Sequence, residues 1–187
     1  MKSGYADAIL LATQKLESLN PLDVCRITGS QYEEGAYKIP WFGKPSGTDE
    51  GSDFERIIKL HYLISEGTKP PVSKWISYRE VPGALFYDPK FIARAVNPIA
   101  KAFGDCPQRL VEAAKKLNAD EAQAGDFAVT LYPLPYVPLT YIIWGKDDEN
   151  EARASVLFDK TAPAWLCAED LVVLASIATY ALIAISK

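Results

Sequence analysis

His61 is the chain's only histidine, and its spacing from Phe54, Ile57 and Ile58 puts all four on one stripe of a helix turning about 100° per residue. That stripe is the apolar face, so the imidazole points towards a core or a pocket. There it must hydrogen-bond within the fold or ligate something. Three readings stand: a core histidine satisfied by a nearby carboxylate or carbonyl, an axial ligand of a cofactor metal, or a general acid or base. A second group is Arg79-Glu80 with Gly83, Phe86 and Tyr87 after it. Arg79 and Glu80 end a short strand before a Pro-Gly turn. They either form an ion pair that holds the turn or meet a carboxylate or other anion.

The acids are more scattered. Asp126 opens a strand and Asp159 closes one. With Glu80 they would make an acid–base or metal cleft if the fold brought them together, which their spacing does not require. Glu169 and Asp170 stand at a helix start, where the macrodipole favours acids. The acidic run 147–151 reads as a solvated hairpin tip, because it lacks the alternating order of a calcium loop. Trp41, Trp75, Trp144, Trp165 and ten tyrosines supply either core and rim packing or a flat wall for a planar ligand.

Several chemistries are excluded. Cys25, Cys106 and Cys167 are widely spaced and form no C-x-x-C pair, so they offer no ligand set for zinc or an iron–sulfur cluster. Reduced thiols in a cytoplasm are the expectation. Nucleophile elbow, dinucleotide fingerprint and P-loop are all missing. A net charge of −4 without a basic stripe argues against nucleic acid as a partner. The N-terminus lacks a signal-peptide profile. The uncharged stretch 171–185 is shorter than the roughly 20 residues of a membrane span, and predicts a core helix rather than an anchor.

The elements that must position these residues follow from periodicity and punctuation. Residues 4–19 predict an amphipathic helix capped by Ser3 and stopped at Asn20-Pro21. Residues 24–28 and 36–42 predict short strands around turn chemistry at 29–35, with Pro40 marking an edge strand. Residues 43–52 form the most loop-like segment. A helix runs from Ser52 or Asp53 to about Glu66, and a short strand covers 75–79. Helices start at Asp88-Pro89 and Pro107, the first kinked near Asn97 by Pro98. Strands at 126–132, 139–144 and 154–159 precede the closing helix. The order predicts one α+β domain over 1–187, with a small, mostly antiparallel sheet and a long apolar C-terminal helix.

An ordered set of motifs carries a resemblance. L-H-Y-L at 60–63, W-x-x-Y-R-E-V-P-G at 75–83, F-Y-x-P-x-F at 86–91, Gly125-Asp126, L-F-D at 157–159 and L-C-A-E-D-L at 166–171 occur in sequence. Over about 16–174 the chain resembles domain-of-unknown-function family 3786, of mainly anaerobic bacteria and archaea. The family has no established activity. Some longer relatives resemble this domain joined to a four-cysteine iron–sulfur module of the kind found in corrinoid iron–sulfur proteins. The resemblance therefore implies anaerobic one-carbon and corrinoid chemistry, with a corrinoid or iron–sulfur protein as partner. This chain lacks that module and the D-x-H-x-x-G signature of ordinary corrinoid domains.

Taken together, these features lead to an expected non-catalytic binding protein for a corrinoid (cobalamin) or another tetrapyrrole such as haem. His61 would be the axial ligand or a pocket donor, Trp75, Tyr78, Phe86 and Tyr87 the walls, and Arg79, with Glu80 beside it, the polar contact. The alternatives are an enzyme using Glu80, Asp126 and Asp159, or a subunit or assembly factor without a ligand.

Overall fold

A computed structural model describes residues 4–67 and 69–187. The predicted Ser3 cap lies outside the described residues. The first helix, α1 (Gly4–Glu17), is followed at once by a second, α2 (Pro21–Thr28). Residues 24–28 are thus helical, not a strand. The Asn20 side chain accepts from the Leu22 N–H at 2.9 Å, Pro21 takes the first turn, and Gly29 closes the helix at φ 71°. These caps outweigh the β-branched residues between them.

Three strands form a meander: β1 (Gln31–Glu33), β2 (Ala36–Trp41) and β3 (Lys44–Gly47). Both connections are two residues long, Glu34-Gly35 and Phe42-Gly43, and all four residues have positive φ. That is the type I′ geometry whose twist matches antiparallel strands. The loop-like segment 43–52 therefore contains a strand. Pro40 lies in the middle strand rather than at an edge. It is tolerated because β1 reaches only Ala36–Lys38, leaving that flank open at Pro40.

Helix α3 (Asp53–Leu63) opens with a full capping box between Ser52 and Glu55. After it come β4 (Trp75–Ser77), two 3₁₀ turns at Tyr78–Glu80 and Ala84–Phe86, and α4 (Asp88–Phe91). The expected kink is a π-helical turn, Ile92–Val96, leading into α5 (Asn97–Phe103). Pro98 has no N–H to offer the carbonyl four residues back, and its ring crowds that carbonyl. The Asn97 N–H instead reaches Ile92 O. Thr179 donates to Ala95 O at 2.9 Å, so this irregular turn has a fixed partner on the last helix.

Helix α6 (Gln108–Lys115) leads to the main sheet: β5 (Asp120–Ala122), β6 (Phe127–Leu134), β7 (Val137–Trp144) and β8 (Arg153–Asp159). With β4 they make an antiparallel sheet in the order β4-β8-β7-β6-β5. Strand β7 is buried from Val137 to Ile143, as a central strand covered on both faces should be. Helix α7 (Ala168–Ile185) is long and apolar enough by composition to cross a bilayer. Here its Leu171, Leu174, Ala175, Ala178 and Leu182 belong to the core. Tyr141 on β7 donates to Ala175 O at 3.0 Å and ties helix to sheet. The architecture is α+β with antiparallel sheets and an apolar C-terminal helix, as the element order predicts.

Candidate functional site

Helix α3 is buried nearly all round: Ile57, Ile58, Lys59, Leu60, Tyr62 and Leu63 are all inside. Only the two ends of the stripe expected to be most buried form an open seam, with Ile57 and Ile58 inside between them. Phe54 is exposed, and the His61 side chain keeps 34% of its surface. His61 is therefore at the edge of the core, not within it. Helix α1 covers another side of α3, and Lys59 ties a further side to the β3 loop. The seam is left facing α7.

Across that seam stands Asp170, in the first turn of α7. His61 Nδ1 lies 2.9 and 3.0 Å from its two carboxylate oxygens. An ionised carboxylate can only accept, so Nδ1 carries the proton. In the neutral imidazole Nε2 then keeps its lone pair, and among the described residues it has no partner. Asp170 also accepts from Cys167 Sγ at 3.2 Å. Partial desolvation at the start of α7 is the main reason the Cys167 thiol is pushed above its ordinary range, with the Asp170 charge adding to it. A thiol so placed is no activated nucleophile.

The surrounding motif residues gather on the same turn of α7. Tyr78 donates to Ala168 O at 2.9 Å, and Tyr87 donates to Glu169 at 3.1 Å. That bond to Glu169 raises the Tyr87 phenol. Gly83, at φ 81°, turns the chain so that its Cα faces the Ala168 methyl. The turn after it leaves Leu85 and Phe86 outside, Phe86 at 88% exposure. Trp75 is partly exposed on the edge strand. Four of the separated motifs, 60–63, 75–83, 86–91 and 166–171, thus converge at one helix start.

Not every residue singled out belongs there as predicted. Tyr78 is a core ring stacked on Phe91 at 4.4 Å, with its phenol raised by burial, and is no pocket wall. Arg79 is engaged by Asp88 at 2.8 Å. Glu80 accepts from the Ser77 N–H and hydroxyl at 2.7 and 2.8 Å, which holds it below the usual carboxylate range. The Arg79 and Glu80 side chains therefore stabilise the 77–88 turn from separate ends. Most of the aromatic supply is structural: Trp165 lies between Tyr62 and Tyr136, and its indole N–H donates to Lys69 O.

The carboxylate cleft does not form. Asp159 is fully buried and accepts from Val72 N, Thr161 N and Thr161 Oγ1. Asp126 precedes Phe127, which pairs with Ile143, so it falls level with Trp144; it accepts from Gly145 N at 2.8 Å. Asp159 follows Phe158, which pairs with Leu139, so about six strand positions along β7 separate the two levels, roughly 20 Å at 3.3 Å each. Sequence reasoning missed the roles of Asp170 and Cys167. The macrodipole was explanation enough for the acid, and the thiol had no motif partner. Both lie in the motif 166–171, which was the one available signal.

No curated protein and no solved structure matches the chain. One family does, described as "Domain of unknown function (DUF3786)", over residues 20–181. This span takes in the α3 seam and nearly all of α7, and the chain belongs to that family.

Proposed function

We propose that this protein is a non-catalytic binding protein for a metal-centred tetrapyrrole, a corrinoid (cobalamin) in preference to haem, with His61 as the protein ligand. One observation carries the reading: His61 Nδ1 is held by Asp170 while Nε2 is unpartnered at a partly open face. Metal-binding imidazoles commonly donate their second nitrogen to a carboxylate, which sets the tautomer and raises ligand basicity. A corrinoid supplies a cobalt ion that accepts an imidazole nitrogen. Exposed Leu85 and Phe86 beside the α7 start offer apolar contact to a large ring. The choice of corrinoid, and of a corrinoid or iron–sulfur protein as partner, rests on the association of some longer relatives with a four-cysteine module.

The same Asp–His pair is also the geometry of a general base. That reading has less support. Cys167 bonds to Asp170 and not to the imidazole, and the other carboxylates considered are tied up in turns. Absorbance titration with hydroxocobalamin and with haemin tests the proposal. The expected result is a saturable spectral change with hydroxocobalamin that is abolished in His61→Ala. No change with either compound, or the same change in His61→Ala, overturns it.

A further inference from the structure

Where the start of α3 faces the middle of α7, a cleft of about 470 Å³ opens. Val173, Ser176, Ile177 and Tyr180 line one wall, a single stripe of α7; Phe54 lines the other. Over the rim stands Arg94, in the middle of the π-helical turn. We infer that this cleft binds an amphipathic carboxylate, its apolar chain lying along Phe54, Val173 and Ile177 and its head meeting Arg94.

Arg94 has no ion-pair or hydrogen-bond partner among the described residues. Glu55, the acid on the same rim, is turned into the cap of α3: its Oε2 accepts from the Ser52 N–H and hydroxyl at 2.8 and 2.9 Å, where the helix N-terminus offsets its charge. The Ser176 hydroxyl is likewise turned away, donating to Val172 O. Arg94 is thus the charged side chain at the cleft left without a partner among the described residues, and a guanidinium matches a carboxylate in two-point geometry. The size falls within the range of about 300–1,000 Å³ usual for small-ligand sites.

The backbone supports the same assignment. Arg94 sits on a turn imposed by Pro98 and pinned by Thr179, so its Cα is placed by core contacts rather than by a mobile loop. Such π turns recur at functional sites because they re-aim a side chain without breaking the helix. His61 does not line this cleft, so the site is separate from the proposed tetrapyrrole face.

Isothermal titration of the full chain with decanoate, decanol and decylamine tests it. Decanoate is expected to bind at one site, at least tenfold more tightly than decanol or decylamine. Arg94→Gln, an exposed change that leaves the fold intact, is expected to weaken decanoate at least tenfold and leave decanol unchanged. Val173→Trp, which fills the cleft, is expected to abolish binding of both. His61→Ala should bind decanoate as the wild type does, which keeps this test independent of the tetrapyrrole reading. Equal affinity for decanoate and decanol, wild-type affinity in Arg94→Gln with folding verified by circular dichroism, or no binding of decanoate overturns the inference.

Discussion

His61 Nδ1 and the Asp170 carboxylate, 109 residues apart in sequence, meet at 2.9 Å where the end of α3 crosses the start of α7. The carboxylate is one of two acids in that first helical turn, and its neighbour Glu169 turns to Tyr87 instead. One turn of α7 thus orients an imidazole through one acid and anchors the 83–87 turn through the other.

Asp170→Asn removes the charge that holds the Nδ1–H and lets the imidazole rotate or switch tautomer. Affinity for hydroxocobalamin is expected to fall by about 10–100-fold, the usual effect of losing such a supporting carboxylate. Absorbance titration reads it, and an unchanged affinity would show that the pair is only structural.

Lys59 is a buried ammonium donating to Ser46 Oγ, Gly47 O and Glu50 O at 2.7–2.9 Å, above the Trp41 ring. Desolvation lowers the affinity of its amine for a proton. Lys59→Met keeps the stem but leaves those acceptors unpaired, so a loss of about 2–4 kcal/mol is expected in urea unfolding. Stability within 0.5 kcal/mol of wild type, roughly the level of a neutral surface change, would contradict this account.

Asp159 supplies the pH dependence. Burial alone would raise its carboxyl, but donors from Thr161, Val72 and Ser73 outweigh burial and hold it below the ordinary value. Its folded value is thus lower than its unfolded one. The stability it contributes is present above the ordinary aspartate range and is lost as pH falls through the folded value. Asp159→Asn is expected to cost about 2–3 kcal/mol at pH 7 and to flatten the acid-side decline below about pH 4. Chemical unfolding of both proteins between pH 3 and 7 measures the difference.

Thr179 joins the π turn to the sheet, donating to Ala95 O and lying 3.2 Å from the Tyr141 hydroxyl. Thr179→Val leaves the Ala95 carbonyl without its donor, and a loss of about 1–3 kcal/mol is expected. Hydrogen exchange should quicken first in 92–103, and uniform quickening across the chain would point to a different cause.

Local rules settled much of the fold from the residues alone. The Ser52 capping box, the Asp88-Pro89 start, the β-branched and aromatic strands of the sheet and the apolar run of α7 are encoded within a few neighbouring positions. Physical preferences over one or two turns suffice to read them. Local rules also failed where two signals competed. Residues 24–28 favour a strand by β-branching and a helix by their caps, and the caps won. Pro40 marks an edge only if the neighbouring strand extends that far, which depends on where β1 ends.

The candidate site was legible only in part. His61, Tyr87 and the motif around Cys167 and Asp170 stood out as residue types in order. Which acid would meet the histidine did not, since Glu80, Asp126, Asp159 and Asp170 are equivalent by chemistry. The packing of α3 on α7 selected Asp170 and left His61 part-open at the end of its stripe, and the register of the sheet held Asp126 and Asp159 roughly 20 Å apart along β7. Sequence by itself determined which side chains can do chemistry. Tertiary packing decided which of them meet, because a contact across 109 residues depends on how whole elements bury their faces and not on local spacing.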